Sequence, residues 1–176
     1  MIMPPGERLL MPVRPAFVWM TLVGGLLAAM LANMLLWGRA AWAPDILSIV
    51  LLYWTVHQTR RVGMFVAFVA GLLMDVHQGG LLGQHALAYV ALSYLAVRLH
   101  RRLRWFSVTE QAVQVFPLFA FAHLVEWSVN FLVMGGPSSW WTLVSPVAEA
   151  LLWPLVGQLL VAPQRRAPDP DKNRPI

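Results

Sequence analysis

Between residues 16 and 37 the chain carries no formal charge, an apolar run of 22 positions. As a helix rising about 1.5 Å per residue it would reach roughly 33 Å, the hydrocarbon thickness of a bilayer. Backbone N–H and C=O groups find no water at that depth, so the run must be helical. Apolar segments recur at 44–57, 62–75, 85–99, 110–134 and 141–162. The fold class is therefore all-α, a polytopic integral membrane helical bundle of about six transmembrane helices. Segments 44–57 and 62–75 have 14 residues each, a length that equally suits broken or re-entrant helices held among the others. Composition agrees, with 59% hydrophobic and 12% charged residues and a mean hydropathy of +0.62.

The basic residues supply an independent count, because Lys and Arg in short loops stay on the cytoplasmic side. Arg8 and Arg14 precede the first segment, and Arg60 and Arg61 lie between the second and third. Arg98, Arg101, Arg102 and Arg104 lie between the fourth and fifth, and Arg165, Arg166, Lys172 and Arg174 follow the sixth. Only Arg39 falls on the other side, so both termini are expected in the cytoplasm. The net charge of +5 follows from topology, and no nucleic-acid partner is implied. Three regions result: a cytoplasmic segment at 1–15, a membrane domain at 16–162 and a Pro-rich, charged, disordered tail at 163–176. Trp37, Trp42, Trp140 and Trp141 mark the outer boundary and Trp105 the inner one. Cysteine is absent, which removes disulfides, thiolate metal sites and a Cys nucleophile.

A row of small residues runs through the centre of the chain: Gly63, Ala67, Gly71, Asp75, Gly79 and Gly83, each four after the last. On a helix, Gly63 to Asp75 form one narrow face that lets another backbone approach closely. Gly79 and Gly83 bracket a polar turn that ends the helix. A second set, Gly24, Ala28 and Ala32 beside Gly25, Ala29 and Asn33, gives the first segment a similar packing face.

Ionisable groups in hydrocarbon cost on the order of 2.5 to 3.5 kcal/mol each, so they face a cavity or a partner. His123, Glu126 and Asn130 share one face of the fifth segment, Glu149 lies near the start of the sixth, and Asn33 near the end of the first. Asp45 follows Pro44 at the start of the second, Asp75 ends the third, and Gln84 and His85 begin the fourth. All of these belong to the outer half. They form either an outward polar cleft or a set of mutually satisfied groups that cap helix ends.

Catalytic patterns are missing. His123-x-x-Glu126 is followed by Trp127 where an inverted zinc motif needs a second His, and no H-E-x-x-H occurs. Ser138 follows Gly136-Pro137 without a paired base, and Gly79-Gly80 and Gly83 lack the Lys-Ser/Thr of a phosphate loop. The expectation is a non-enzyme with no catalytic residue, metal or cofactor.

The run from Gly71-Leu72-Leu73-Met74-Asp75 through the glycine turn to Leu82-Gly83-Gln84-His85-Ala86-Leu87 resembles the signature of the bacterial rod shape-determining protein MreD family. Pro44-Asp45-Ile46-Leu47 opening a helix that ends Leu52-Tyr53-Trp54 is similar to the family's Pro-Asp start, and Arg61-Val62-Gly63 leads into the third segment as in the family. The likeness covers about residues 16 to 162; His77, Gln78 and His85 depart from it, being more polar than is usual there. The resemblance implies a multi-pass protein of the bacterial inner membrane that supports rod shape within the cell-wall elongation complex. Its implied partners are an MreC-like bitopic protein, an MreB-like filament, peptidoglycan synthases and membrane lipids. Gly71, Asp75, Gly79, Gly83, Pro44 and Asp45 would form its partner or cavity site, and Asn33, His123, Glu126, Asn130 and Glu149 an intramembrane polar cluster. The architecture also resembles the six-helix substrate-binding subunits of vitamin transporters, so a small-molecule binder is the alternative.

Overall fold

The second helix, α2 (Ile46–His57), is the axis of the molecule: every residue from Leu47 to Val56 is buried. The Ser48 and Thr55 hydroxyls return to carbonyls one turn back, Ser48 Oγ to Asp45 at 2.8 Å and Thr55 Oγ1 to Leu51 at 2.8 Å, so neither needs a partner on a neighbouring helix. Around it lie α1 (Pro15–Ala32, continued by a π-helical turn Asn33–Trp37), α3 (Met64–Gln78), α4 (Gln84–Leu103), α5 (Val108–Met134) and α6 (Ser145–Val161). A short 3₁₀ turn, Trp140–Leu143, precedes α6. The structure, a computed structural model, describes residues 15–37, 43–59, 61–136 and 139–161, and no strand occurs among them. The termini, Arg39, Trp42, Arg60, Pro137 and Ser138 lie outside the described residues, as do the side chains of Trp37 and Trp140.

Helices α3, α4, α5 and α6 pack each on the next, and α2 is enclosed by α1, α4 and α6. Local sequence sets most boundaries. Asp45 caps α2, accepting from the Leu47 N–H at 3.0 Å. Ser107 and Glu110 form a reciprocal capping box that starts α5 two residues before the apolar run. Helix α4 continues through its arginines to Leu103, and α3 continues to Gln78, where Gly79 (φ 63°) closes it in the left-handed region. The expected sixth span is interrupted, because the turn at Val144 separates the 3₁₀ segment from α6.

The bundle is apolar on its outside as well as in its core, unlike a water-soluble protein, and some polar residues are enclosed. Asn33, Asp75, Gln111 and Glu149 are buried, while Leu35, Phe65, Leu82, Val113, Leu132, Leu151 and Leu159 are each at least 70% exposed. Apolar side chains cover every outer helix, far beyond the patch sizes that water tolerates. Among the described residues only α5, over Thr109–Met134, is by itself long and apolar enough to cross a membrane. At 12 and 15 residues, α2 and α3 are about 18 and 22 Å long. They fall short of a roughly 30 Å core.

The small-residue row of α3 lies where close approach is required. Ala67, Gly71 and Asp75 are buried against α4, and a Cβ on Gly71 would sit 2.5 Å from the Ala86 nitrogen and 2.7 Å from the His85 carbonyl carbon. In α1 the two small rows separate. Gly25 faces Trp54, Val50 and Leu160, and Ala29 and Asn33 are buried, whereas Gly24 and Ala28 lie on the open side.

Candidate functional site

The ends of α1, α3 and α5 meet the starts of α2, α4 and α6 at one end of the bundle. A helix start leaves N–H groups without intrahelical acceptors, and a short, buried helix places them beyond the reach of water. At α2 three side chains meet this need. Asp45 Oδ1 accepts the Leu47 N–H, Asn33 Oδ1 accepts the Ile46 N–H at 2.9 Å, and Glu149 Oε1 accepts the Asp45 N–H at 3.1 Å. Asn33 Nδ2 in turn donates to Asp45 Oδ1 at 2.5 Å, and the Tyr89 hydroxyl donates to Asp45 Oδ2.

At α4 the cap comes from another helix. Gly83, the N-cap residue, has no side chain to offer and adopts φ 99°, a conformation suited to glycine. The Asp75 carboxylate at the end of α3 takes its place. Its Oδ2 accepts the Gly83 N–H at 2.8 Å and the Ala86 N–H at 3.4 Å, and its Oδ1 accepts the His85 N–H at 2.9 Å and contacts His85 Nδ1 at 2.8 Å. A carboxylate at a helix N-terminus is also favoured by the helix dipole.

The third part joins α5 to α6. His123 Nε2 lies 2.8 Å from Glu149 Oε1, and its Nδ1 lies 3.2 Å from Glu126 Oε2. Through Glu149 this pair reaches Asp45, and through Tyr89 and His85, whose rings are 6.0 Å apart, the network reaches Asp75. Two hydrogen-bonded groups, joined by that ring contact, thus touch all six helices between them. They contain Asn33, Asp45, Asp75, Glu126, His123 and Glu149 from the residues singled out in the sequence. Gly71, Gly79 and Gly83 shape the α3–α4 turn, and Pro44 is buried beside Asp45. Asn130 is not brought in: no hydrogen bond joins it to another described residue. Tyr89 was not among the residues singled out, although its spacing of four from His85 puts both on one helix face.

Chemically the set is rich in acceptors. Four carboxylates face two imidazoles, and Glu149 Oε2 is enclosed without a hydrogen-bond partner. Among the described residues no group of three His, Asp or Glu side chains is arranged to hold a metal ion. An apolar groove of about 390 Å³ opens beside His123, between Phe116, Leu124 and Trp127 of α5 and Thr142 and Pro146. Because the chain is free of cysteine, single cysteines can report access. With Glu149 fully enclosed and Glu126 about 15% exposed, an impermeant maleimide applied to intact cells is expected to label Glu126→Cys slowly and Glu149→Cys not at all. Labelling at 149 would mean an open cleft; silence at both would mean that the cluster has no outer access.

These features define a class: a small all-α bundle with an apolar exterior, tied at one end by buried polar side chains. A family model for the rod shape-determining protein MreD matches residues 11–162, and the chain belongs to that family of bacterial membrane proteins. It is 28% identical over 152 residues to the rod shape-determining protein MreD of Haemophilus influenzae (strain ATCC 51907 / DSM 11121 / KW20 / Rd), covering 85% of this chain and 94% of the relative. No solved structure matches. Membership assigns a role in rod-shape determination, and the transporter-subunit alternative finds no support in these comparisons.

Proposed function

We propose that the protein is a multi-pass, non-enzymatic subunit of the cell-wall elongation machinery in the bacterial inner membrane. Six spans place both termini in the cytoplasm, with the membrane domain at 16–162 between the short segment 1–15 and the tail 163–176. It supports rod shape by holding an MreC-like bitopic protein in register with peptidoglycan synthases outside and an MreB-like filament inside. The observation that carries the reading is the surface of a chain in this family: apolar residues cover the outside, and a polar set is enclosed at one end. A bundle of this kind has little to offer water and much to offer other membrane helices.

In this orientation the polar end faces outward. Its network makes a stiff outer end from helices too short to reach the headgroups. The Asp75 turn is the contact site we assign to partners. Val76 and Leu82 are exposed on either side of it, beside Gly79 and Gly80. Depleting the protein in its native bacterium and following cell width over several generations tests the role. Rods are expected to widen and round; persistent rods at full depletion would overturn it.

A further inference from the structure

The opposite end of α4 carries the strongest charged patch among the described residues. Arg98, Arg101 and Arg102 lie within about 100° of one another on the helix, since successive residues turn by roughly 100°. With Arg104 they are all exposed, and none forms an ion pair with another described residue. Glu110, the nearest carboxylate in sequence, is held by the Ser107 backbone N–H in the α5 capping box. Trp105 beside them is 89% exposed. Topology alone would be served by basic residues anywhere in this loop. What it does not require is their alignment with the rest of the helix.

Along the same exposed face of α4, toward the other end, lie Tyr94 and then Leu87, each about half exposed. The Arg98 guanidinium stands 5.3 Å over the Tyr94 ring. The face therefore reads leucine, tyrosine, arginines in order along one helix. That is the order of a phospholipid that bears a net negative charge: acyl chain, glycerol region, phosphate. We propose that this face of α4, with Trp105, is a binding site for an anionic phospholipid of the inner leaflet, its phosphate held by Arg98, Arg101 and Arg102. Guanidinium groups suit the task because they pair with phosphate oxygens bidentately. Arginines near an anionic membrane surface contribute roughly fivefold each in partitioning.

The inference rests on the bundle being embedded in lipid as proposed above. The test is native mass spectrometry of the full chain released from nanodiscs of equimolar phosphatidylglycerol and phosphatidylcholine. Wild type is expected to retain phosphatidylglycerol at least about fivefold over phosphatidylcholine. The excess should disappear in Arg98→Gln/Arg101→Gln/Arg102→Gln and fall as salt rises in wild type. Equal retention of the two lipids by wild type would overturn the site, as would an excess that survives the triple substitution or ignores salt. Displacement of the lipid by millimolar inorganic phosphate would also overturn it, marking a free-anion site. A chain that fails to enter nanodiscs at all would instead fail the membrane reading on which the site rests.

Discussion

Gly71→Val is expected to abolish folding of the detergent-purified protein, seen as loss of a single size-exclusion peak and of a cooperative thermal transition. The side chain has nowhere to go. Its first carbon would lie 2.5 Å from the Ala86 nitrogen, and that atom belongs to a helix backbone, which no rotamer change can move aside. Overpacking a core costs about 1–3 kcal/mol where side chains can shift, and more where they cannot. Total stabilities are about 5–15 kcal/mol, so α3 and α4 would separate. The paired control is Gly24→Val on the open side of α1, where nothing stands within 4 Å; it is expected to change the melting temperature little. Equal behaviour of the two variants would show that α3 and α4 do not cross this closely.

Asp75→Ala is expected to be the most damaging single loss of a polar group. It strips the acceptors from the N–H groups of Gly83, His85 and Ala86 and leaves the His85 ring without its partner, all beside a carboxylate only 1% exposed. Each buried donor left unpaired costs about 1–3 kcal/mol, and the losses overlap because one carboxylate serves them all. A total of at least ~3 kcal/mol follows. Asp75→Asn keeps one oxygen acceptor but turns an NH₂ toward backbone donors, so it should fall between wild type and alanine. Thermal unfolding measures the structural part, and complementation of the depleted strain measures the functional part. A folded Asp75 variant that restores rod shape and assembles with its partners would confine this residue to capping and remove the turn as a contact site.

Much of this is legible in the amino-acid sequence. Apolar runs located all six helices, because a backbone in hydrocarbon can satisfy itself only as a helix. Pro44-Asp45 announced the start of α2, and the four-residue spacing announced a face for close packing at Ala67, Gly71 and Asp75, whereas Gly63, expected on the same face, is the N-cap of α3 and meets nothing within 4 Å. Element ends were less exact, for identifiable reasons. The capping box of Ser107 and Glu110 drew α5 back beyond the apolar run, and arginines, good helix formers, carried α4 past the point where hydropathy falls. The two short apolar segments became α2 and α3, with α2 the most enclosed helix of all.

The candidate site was legible only as a set of residue types. That Asn33, Asp45, His123, Glu126 and Glu149 all fall near one end of the chain's helices follows from counting along each helix. Which of them touch does not: the Glu149 to Asp45 hydrogen bond joins residues 104 positions apart. Tyr89 entered through the packing of α4 on α2, and Asn130 stayed outside, although its helical spacing matched that of His123 and Glu126. In α1, Gly24 and Gly25 are adjacent and equally small, and only the positions of α2 and α6 choose the second for the interior.

Helix periodicity and desolvation act on neighbouring residues, so an all-helical bundle of six apolar helices, with its intramembrane carboxylates toward one end and most of its arginines toward the other, can be read from the chain alone. The tertiary structure decided how those carboxylates are shared. A short helix cannot satisfy its own first N–H groups, and the acceptors they find come from whichever helices happen to end at the same depth.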